Sequence, residues 1–298
     1  MSKDYRAGFA CFVGRPNAGK STLTNAIIGS KVAITSNRPQ TTRHVVRGIL
    51  HRPESQLILV DTPGYHKPKT LLGKRLNEEV RETWSEVDVI GFCIPANETI
   101  GPGDKYIARE LKSLRAKMIA VVTKTDLVPR HRVVKQLLAV NELAEFDDIV
   151  PCSAVSGEQV DVLIDVLSKH LPPSPQLYPD DMITDEPERV MIAELVREAA
   201  LEGVREELPH SIAVVIEDIE EEETDDGVRT RVYAEIYVER SSQKAIVIGK
   251  GGSRLRVVGT HARKEIAKLL GKRVYLDLHV RVAKDWQHNP KYLQRLGF

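Results

Sequence analysis

Eight consecutive residues, Gly14-Arg15-Pro16-Asn17-Ala18-Gly19-Lys20-Ser21, spell a complete G-x-x-x-x-G-K-[ST] run. In such a run the backbone N–H groups of a glycine-rich turn converge on the phosphates of a nucleotide. The lysine neutralises charge at the β and γ positions, and the hydroxyl coordinates Mg²⁺. Glycine is needed because the backbone curls around the anion with φ values that a Cβ forbids. The run stands between an apolar stretch, 8–13, and a helix-like stretch, 20–28. That strand–turn–helix setting is the one the motif requires, so the chain is expected to bind a nucleoside triphosphate.

Further patches follow in the order that a GTP site needs. Thr41-Thr42-Arg43 lies in a polar segment that begins at residue 36, where a threonine can complete Mg²⁺ coordination and order the loop only when a γ-phosphate is present. Asp61-Thr62-Pro63-Gly64 follows the apolar stretch 57–60. An aspartate there can hold Mg²⁺ through a water while the Gly64 N–H meets the γ-phosphate. Thr123-Lys124-Thr125-Asp126 ends another apolar stretch, and Ser153-Ala154 ends a third. The Asp126 carboxylate accepts two hydrogen bonds from guanine N1–H and the 2-amino group. Adenine lacks both donors, so a buried carboxylate left unpaired rejects it. Ser153 and Ala154 offer backbone N–H to guanine O6.

A second group of residues suits a polynucleotide. Ala245-Ile246-Val247-Ile248 reads as a strand or helix end and runs into Gly249-Lys250-Gly251-Gly252, a G-x-x-G loop. With no side chain in the way, such a backbone approaches a sugar–phosphate chain closely, and flanking cations pair with phosphates. Arg254, Arg256, Arg263, Lys264 and Lys268 follow on a helical stretch. The plainer reading of the glycines is an ordinary helix-start turn.

The elements that must position these residues fall into two series. Up to residue 171, apolar runs at 8–13, 45–50, 56–60, 89–94, 118–123 and 149–153 alternate with helical patterns at 20–28, 71–87, 104–115, 130–144 and 160–170. That alternation predicts an α/β domain, 1–171, with a mostly parallel sheet and helices on both faces; 45–50 is the candidate antiparallel edge strand. Four prolines between 172 and 179 make 172–186 a stiff linker. Residues 187–298 form a second domain in the order helix (187–207), two strands (212–216 and 228–238), the glycine loop, a helix (253–270) and a strand (273–282). The acidic run Glu220–Glu223 reads as a solvated hairpin tip or as a wall that repels nucleic acid toward the basic side.

Bulk properties narrow the class. A chain of 298 residues with 42% hydrophobic and 29% charged residues is a globular protein of two domains. No apolar run is long enough to span a bilayer, and the polar residues 1–6 carry no signal-peptide core. Cys11, Cys93 and Cys152 stand singly in apolar runs and read as core thiols of a cytoplasmic protein. The net charge of +1 hides a polarity: 180–226 holds 18 acids against three arginines, whereas 241–298 holds 13 Lys/Arg against three acids. The basic segment calls for a polyanionic partner. Trp286 and Tyr292, beside Lys284 and Lys291, suit either a core anchor for the last helix or a membrane interface.

Together the nucleotide patches resemble the GTPase superfamily of P-loop proteins. The wording of 14–21, Pro39-Gln40-Thr41-Thr42-Arg43 and Asp61-Thr62-Pro63-Gly64 is similar to the bacterial Era family. The C-terminal order and its Ile-Gly-Lys-Gly-Gly wording resemble a type II KH domain, an α+β fold. Tyr178-Pro179-Asp180-Asp181 matches the family's linker, so the likeness covers nearly the whole chain. It implies GTP or GDP with Mg²⁺ held by Ser21, Thr42 and Asp61, and nucleotide contacts from Gly14, Asn17, Ala18, Gly19, Lys20, Ser21, Thr22, Gly64, Thr123, Lys124, Asp126, Ser153 and Ala154. Lys20, Thr42, Gly64 and Asn17 take the catalytic roles, Asn17 as a K⁺ ligand that stands in for an arginine finger. Gly249, Lys250, Gly251, Gly252 and Arg254 take the RNA. The implied partner is 16S ribosomal RNA near its 3′ end, in maturation of the small (30S) subunit. The protein is expected to be a cytoplasmic monomer, with peripheral membrane attachment as an added option and no DNA partner. Two positions depart from the wider pattern. Thr123 replaces an asparagine, and Tyr65 stands where Ras-like proteins have a water-orienting glutamine, which implies slow hydrolysis. The rival reading is an RNA-binding adaptor whose nucleotide is structural.

Overall fold

The computed structural model describes residues 5–36, 41–65, 68, 70–204, 208–224 and 227–298. Pro39 and Gln40, most of the terminal segment 1–6, the last residues of the expected helix 187–207 and the Asp225-Asp226 tip lie outside the described residues. The chain divides into two compact units, Met1–Pro68 with Lys74–Asp185 and Lys69–Gly73 with Glu186–Phe298.

The first unit is built from β1 (Arg6–Val13), α1 (Lys20–Ile28), β2 (Val46–Arg52), β3 (Ser55–Asp61), α2 (Leu71–Glu86), β4 (Val89–Pro95), α3 (Pro102–Leu111), β5 (Lys117–Thr123), α4 (Arg130–Asn141), β6 (Asp148–Pro151) and α5 (Val160–His170). Its six strands run in the order β2-β3-β1-β4-β5-β6. All neighbours are parallel except β2, which pairs antiparallel with β3 at the edge. β3 and β4 are buried along their whole lengths, as strands covered on both faces must be. Leu23, Ile27, Leu163 and Leu167 cover one face, whereas Val80, Trp84, Ile107, Leu111 and Val140 cover the other. Cys11, Cys93 and Cys152 are free and buried in this core. Because β1 lies between β3 and β4, the connections diverge there, and a crevice opens at the carboxyl ends of these strands.

The proline-rich segment is more than a tether. Gln56, fully buried on β3, accepts from Leu177 N (2.8 Å) and Tyr178 N (2.9 Å) and donates to Tyr178 O (2.8 Å). His51 Nε2 lies 2.8 Å from Met182 O, and Ile49 N donates to Ile183 O at 2.9 Å. Arg47 pairs with Asp185 at 3.3 Å. Backbone contacts Arg6–Pro173 and Gly48–Thr184 complete a strap that passes β1 and β3 and reaches the outer side of β2 at 182–185. The first unit therefore extends to Asp185.

The second unit comprises α6 (Glu188–Leu201), α7 (Leu208–Ser211), β7 (Ala213–Thr224), β8 (Gly227–Val238), α8 (Ser241–Ile248), α9 (Ser253–Leu270), β9 (Arg273–Val282) and α10 (Pro290–Arg295). Its sheet has the order β7-β8-β9, antiparallel then parallel. One apolar core, including Ile192, Val196, Val232, Ile236, Val258 and Ile266, joins α6 and α9 to that sheet. Residues 245–248 are a helix end, closing α8, which decides between the two readings of that run. One expectation needs correction. Glu220–Glu223 are strand rather than tip, because β8 sets Arg231 opposite Glu220 and Arg229 opposite Glu222. Arg229 and Glu222 pair at 2.5 Å inside the hairpin, and Lys272, just before β9, pairs with Glu221. Trp286 is a core anchor: it is fully buried, donates to Ser211 O at 3.0 Å and stacks on Phe298.

Candidate functional site

The phosphate loop leaves β1 at Val13 and enters α1 at Lys20. A Cβ on Gly14 would sit 2.6 Å from the Cys93 carbonyl oxygen, so only glycine lets the loop pass β4. Asn17 (φ 62°) and Gly19 (φ 92°) take left-handed turns. Lys20 Nζ curls back to Gly14 O (3.3 Å) and Arg15 O (3.2 Å). Burial pushes the Lys20 ammonium below its usual range, with the Asp61 carboxylate opposing. The first turn of α1 contains no acid, which leaves its positive end open to an anion. Lys20, Ser21, Thr22, Thr42, Gly64 and Lys124 line one cleft there, so the separate sequence patches converge.

Three oxygens meet beside the loop. Ser21 Oγ lies 2.8 Å from Asp61 Oδ2 and 3.0 Å from Thr42 Oγ1, and Thr42 Oγ1 lies 3.1 Å from Asp61 Oδ2. An octahedral Mg²⁺ with oxygens at 2.0–2.1 Å has neighbouring ligands about 2.9 Å apart, close to these separations. Asp61 is fully buried, and its Oδ1 has no hydrogen-bond partner among the described residues. A buried orphan carboxylate oxygen is costly unless a cation or its water meets it. Burial raises the Asp61 pKa against the hydrogen bond from Ser21 and the charge of Lys20. The donor set is all oxygen and suits this hard cation.

At the base end, Thr123 Oγ1 donates to Ala18 O at 2.7 Å in a buried position. The hydroxyl thus ties this segment to the phosphate loop. Ser153 Oγ donates to Asp126 Oδ1 at 2.6 Å and accepts from Ser156 N, which fixes the carboxylate in an otherwise exposed loop. Ser153 N donates to Glu158 O at 2.9 Å, so the expected contact from that N–H to guanine O6 needs correction; Ala154 follows, half-buried.

Two arrangements escaped sequence reasoning. Arg15 Nε binds Asp104 at 2.8 Å and Nη2 binds Glu98 at 3.0 Å, so the phosphate loop is pinned to the start of α3. The buried Asp104 also accepts from Gly101 N, which explains why α3 starts two residues before the expected boundary. Tyr65 packs its ring on Trp84 and Tyr106, and its hydroxyl accepts from Arg81 Nε (3.0 Å) and Nη2 (2.6 Å). Its oxygen is committed to α2.

In the second unit, Gly249, Lys250, Gly251 and Gly252 form a short turn between α8 and α9, with φ of 74°, 59° and 75° at the three glycines. Lys250 is exposed, as are Arg256, Arg263 and Lys264 on α9. Arg254 needs correction. Its Nη2 donates to Ala200 O (3.0 Å) and Glu202 O (2.8 Å) at the end of α6, so it braces the loop from behind rather than facing a phosphate.

Comparison with known proteins agrees with this layout. A family model described as 50S ribosome-binding GTPase matches residues 9–124, and one described as KH domain matches 207–287. GTPase Era of Mycolicibacterium smegmatis is 63% identical over 298 residues, covering 99% of each chain. GTPase Era of Streptomyces coelicolor is 61% identical over 99% of this chain and 95% of its own. A crystal structure of Era in complex with MgGDPNP and nucleotides 1506–1542 of 16S ribosomal RNA is similar over 98% of this chain and 99% of that one, at 40% identity and a TM-score of 0.94. A single-residue variant of Aquifex aeolicus Era bound to GDP·AlF4⁻ gives 0.93 at the same identity and coverage.

Proposed function

This chain belongs to the Era family of GTPases, and from that membership we propose that it is a GTP-hydrolysing switch that binds 16S ribosomal RNA near its 3′ end and assists maturation of the small ribosomal subunit. The observation that carries this reading is the full-length similarity to an Era that holds MgGDPNP and 16S rRNA together. The chain's own residues supply the parts. Asp126, held by Ser153, reads guanine, while Lys20 and the α1 N-terminus take the phosphates. Ser21, Thr42 and Asp61 would hold Mg²⁺, which when bound offsets charge on the β- and γ-oxygens. Gly64 lies against Lys20, a Cβ there falling 3.7 Å from Nζ, which supports our reading that its N–H senses the γ-phosphate.

With Tyr65 committed to Arg81, that side chain orients no attacking water, and intrinsic hydrolysis to GDP and phosphate is slow. Asn17 is the residue we assign to K⁺, and turnover should rise when KCl replaces NaCl. The end of the strap, 182–185, lies against β2, and β2 begins shortly after Thr42. Ordering of the Thr42 segment thereby has a physical route to the residues that lead into the RNA-binding unit. We place the protein in the cytoplasm as a monomer. Any membrane contact would rest on Lys284 and Lys291, since Trp286 is spent on the core.

The test is the affinity of the full chain for a 16S 3′-end fragment with a GTP analogue and with GDP. We expect the two to differ and Lys250→Ala to weaken both; equal affinities would sink the switch. Zero turnover with or without K⁺ and RNA, the nucleotide still bound, would favour the adaptor instead.

A further inference from the structure

We propose that the groove between α3 and α4 is a docking site for an amphipathic helix of a partner protein that carries carboxylates along one flank of its apolar stripe. The groove has a volume of about 960 Å³ and reaches Met118 at the start of β5, whereas the nucleotide loops leave the opposite, carboxyl ends of the strands. On its α3 wall Lys105, Arg109 and Lys112 fall at i, i+4 and i+7, one face of the helix. They span two turns, about 10 Å. Ala108, Met118 and Leu143 supply apolar lining, and Glu142 and Glu145 stand on the wall beyond α4. Cations and carboxylates share this groove, yet among the described residues none of these five charges has an ion-pair partner. The charge is available to a ligand.

RNA is the rival occupant of the basic stripe. A phosphate chain gains from the three cations but meets Glu142 and Glu145, and apolar lining offers it nothing. A helix laid in the groove uses every part. Its apolar residues cover the lining, and glutamates at i, i+4 and i+7 face α3 in register. Lysines on the other flank face Glu142 and Glu145. The charges set orientation and partner choice, and the apolar contact holds the complex.

The probe is a labelled amphipathic peptide of about 16 residues, long enough to form a helix on docking. It carries leucines on the stripe, glutamates on one flank and lysines on the other, and is titrated by fluorescence anisotropy into the full chain with GDP bound. We expect saturable binding. It should weaken at least about tenfold when the glutamates become glutamines or when the chain carries Lys105→Glu with Arg109→Glu. Unchanged GDP affinity in that double variant shows that it folds. No saturable binding, or equal binding of the glutamine peptide, overturns the proposal. So does a comparable loss of affinity for a uridine oligomer in the double variant, which would make this face an RNA surface.

Discussion

Thr123 performs its role through one proton. Its hydroxyl is committed to Ala18 O at 2.7 Å in a dry position, so Thr123→Ala leaves a buried carbonyl unsatisfied. That costs about 1–3 kcal/mol, and we expect fluorescent-GDP affinity to fall by roughly tenfold or more, with Thr123→Ser restoring most of it. Asp61 makes a pH argument. Its carboxyl is raised by burial, so without a cation its contribution to stability is full below the ordinary carboxylate range and is lost as pH rises through the raised value. Mg²⁺ displaces that proton. The melting temperature should therefore gain more from Mg²⁺ at pH 8 than at pH 5, and Asp61→Asn should erase the difference. Lys20, Ser21, Asp61 and Asp126 were legible because each stands at or just after a strand end at motif spacing. The partners of Arg15 and Tyr65 were not, because Asp104, Arg81 and Tyr106 become neighbours only once the sheet is wound.

At the level of elements, the α8–loop–α9 turn separates binding from bracing. Lys250→Ala removes an exposed cation, so melting should be unchanged while RNA affinity falls and loses about one unit of salt dependence. Arg254→Ala uncovers two carbonyls at the end of α6 and should lower the stability of the second unit by about 1–3 kcal/mol, seen as earlier unfolding in urea. Most strands were readable from short β-branched runs. The distal half of β7 was not, since four consecutive glutamates argue against a strand until Arg229 and Arg231 arrive from β8. α8 was ambiguous for a related reason: an apolar run of four residues fits a strand or a helix equally.

For the whole molecule, the informative boundary is residue 185 rather than 171. Prolines mark 172–179 as stiff but cannot reveal what the segment lies against, because Gln56 and His51 are more than a hundred positions away in the chain. A chain ended at 185 should bind GDP and melt cooperatively. One ended at 171 should melt earlier, because Gln56 loses its three partners inside the core. The strap also has a consequence for what the protein does in concentrated solution. β2 is an outer strand, and Ile49 would otherwise show its N–H to any extended chain that came by. Ile183 and Thr184 occupy that edge first. The segment that leads out of the first unit is thus also its guard against strand-to-strand aggregation, and prying it loose would create a sticky edge before it cost any catalytic residue.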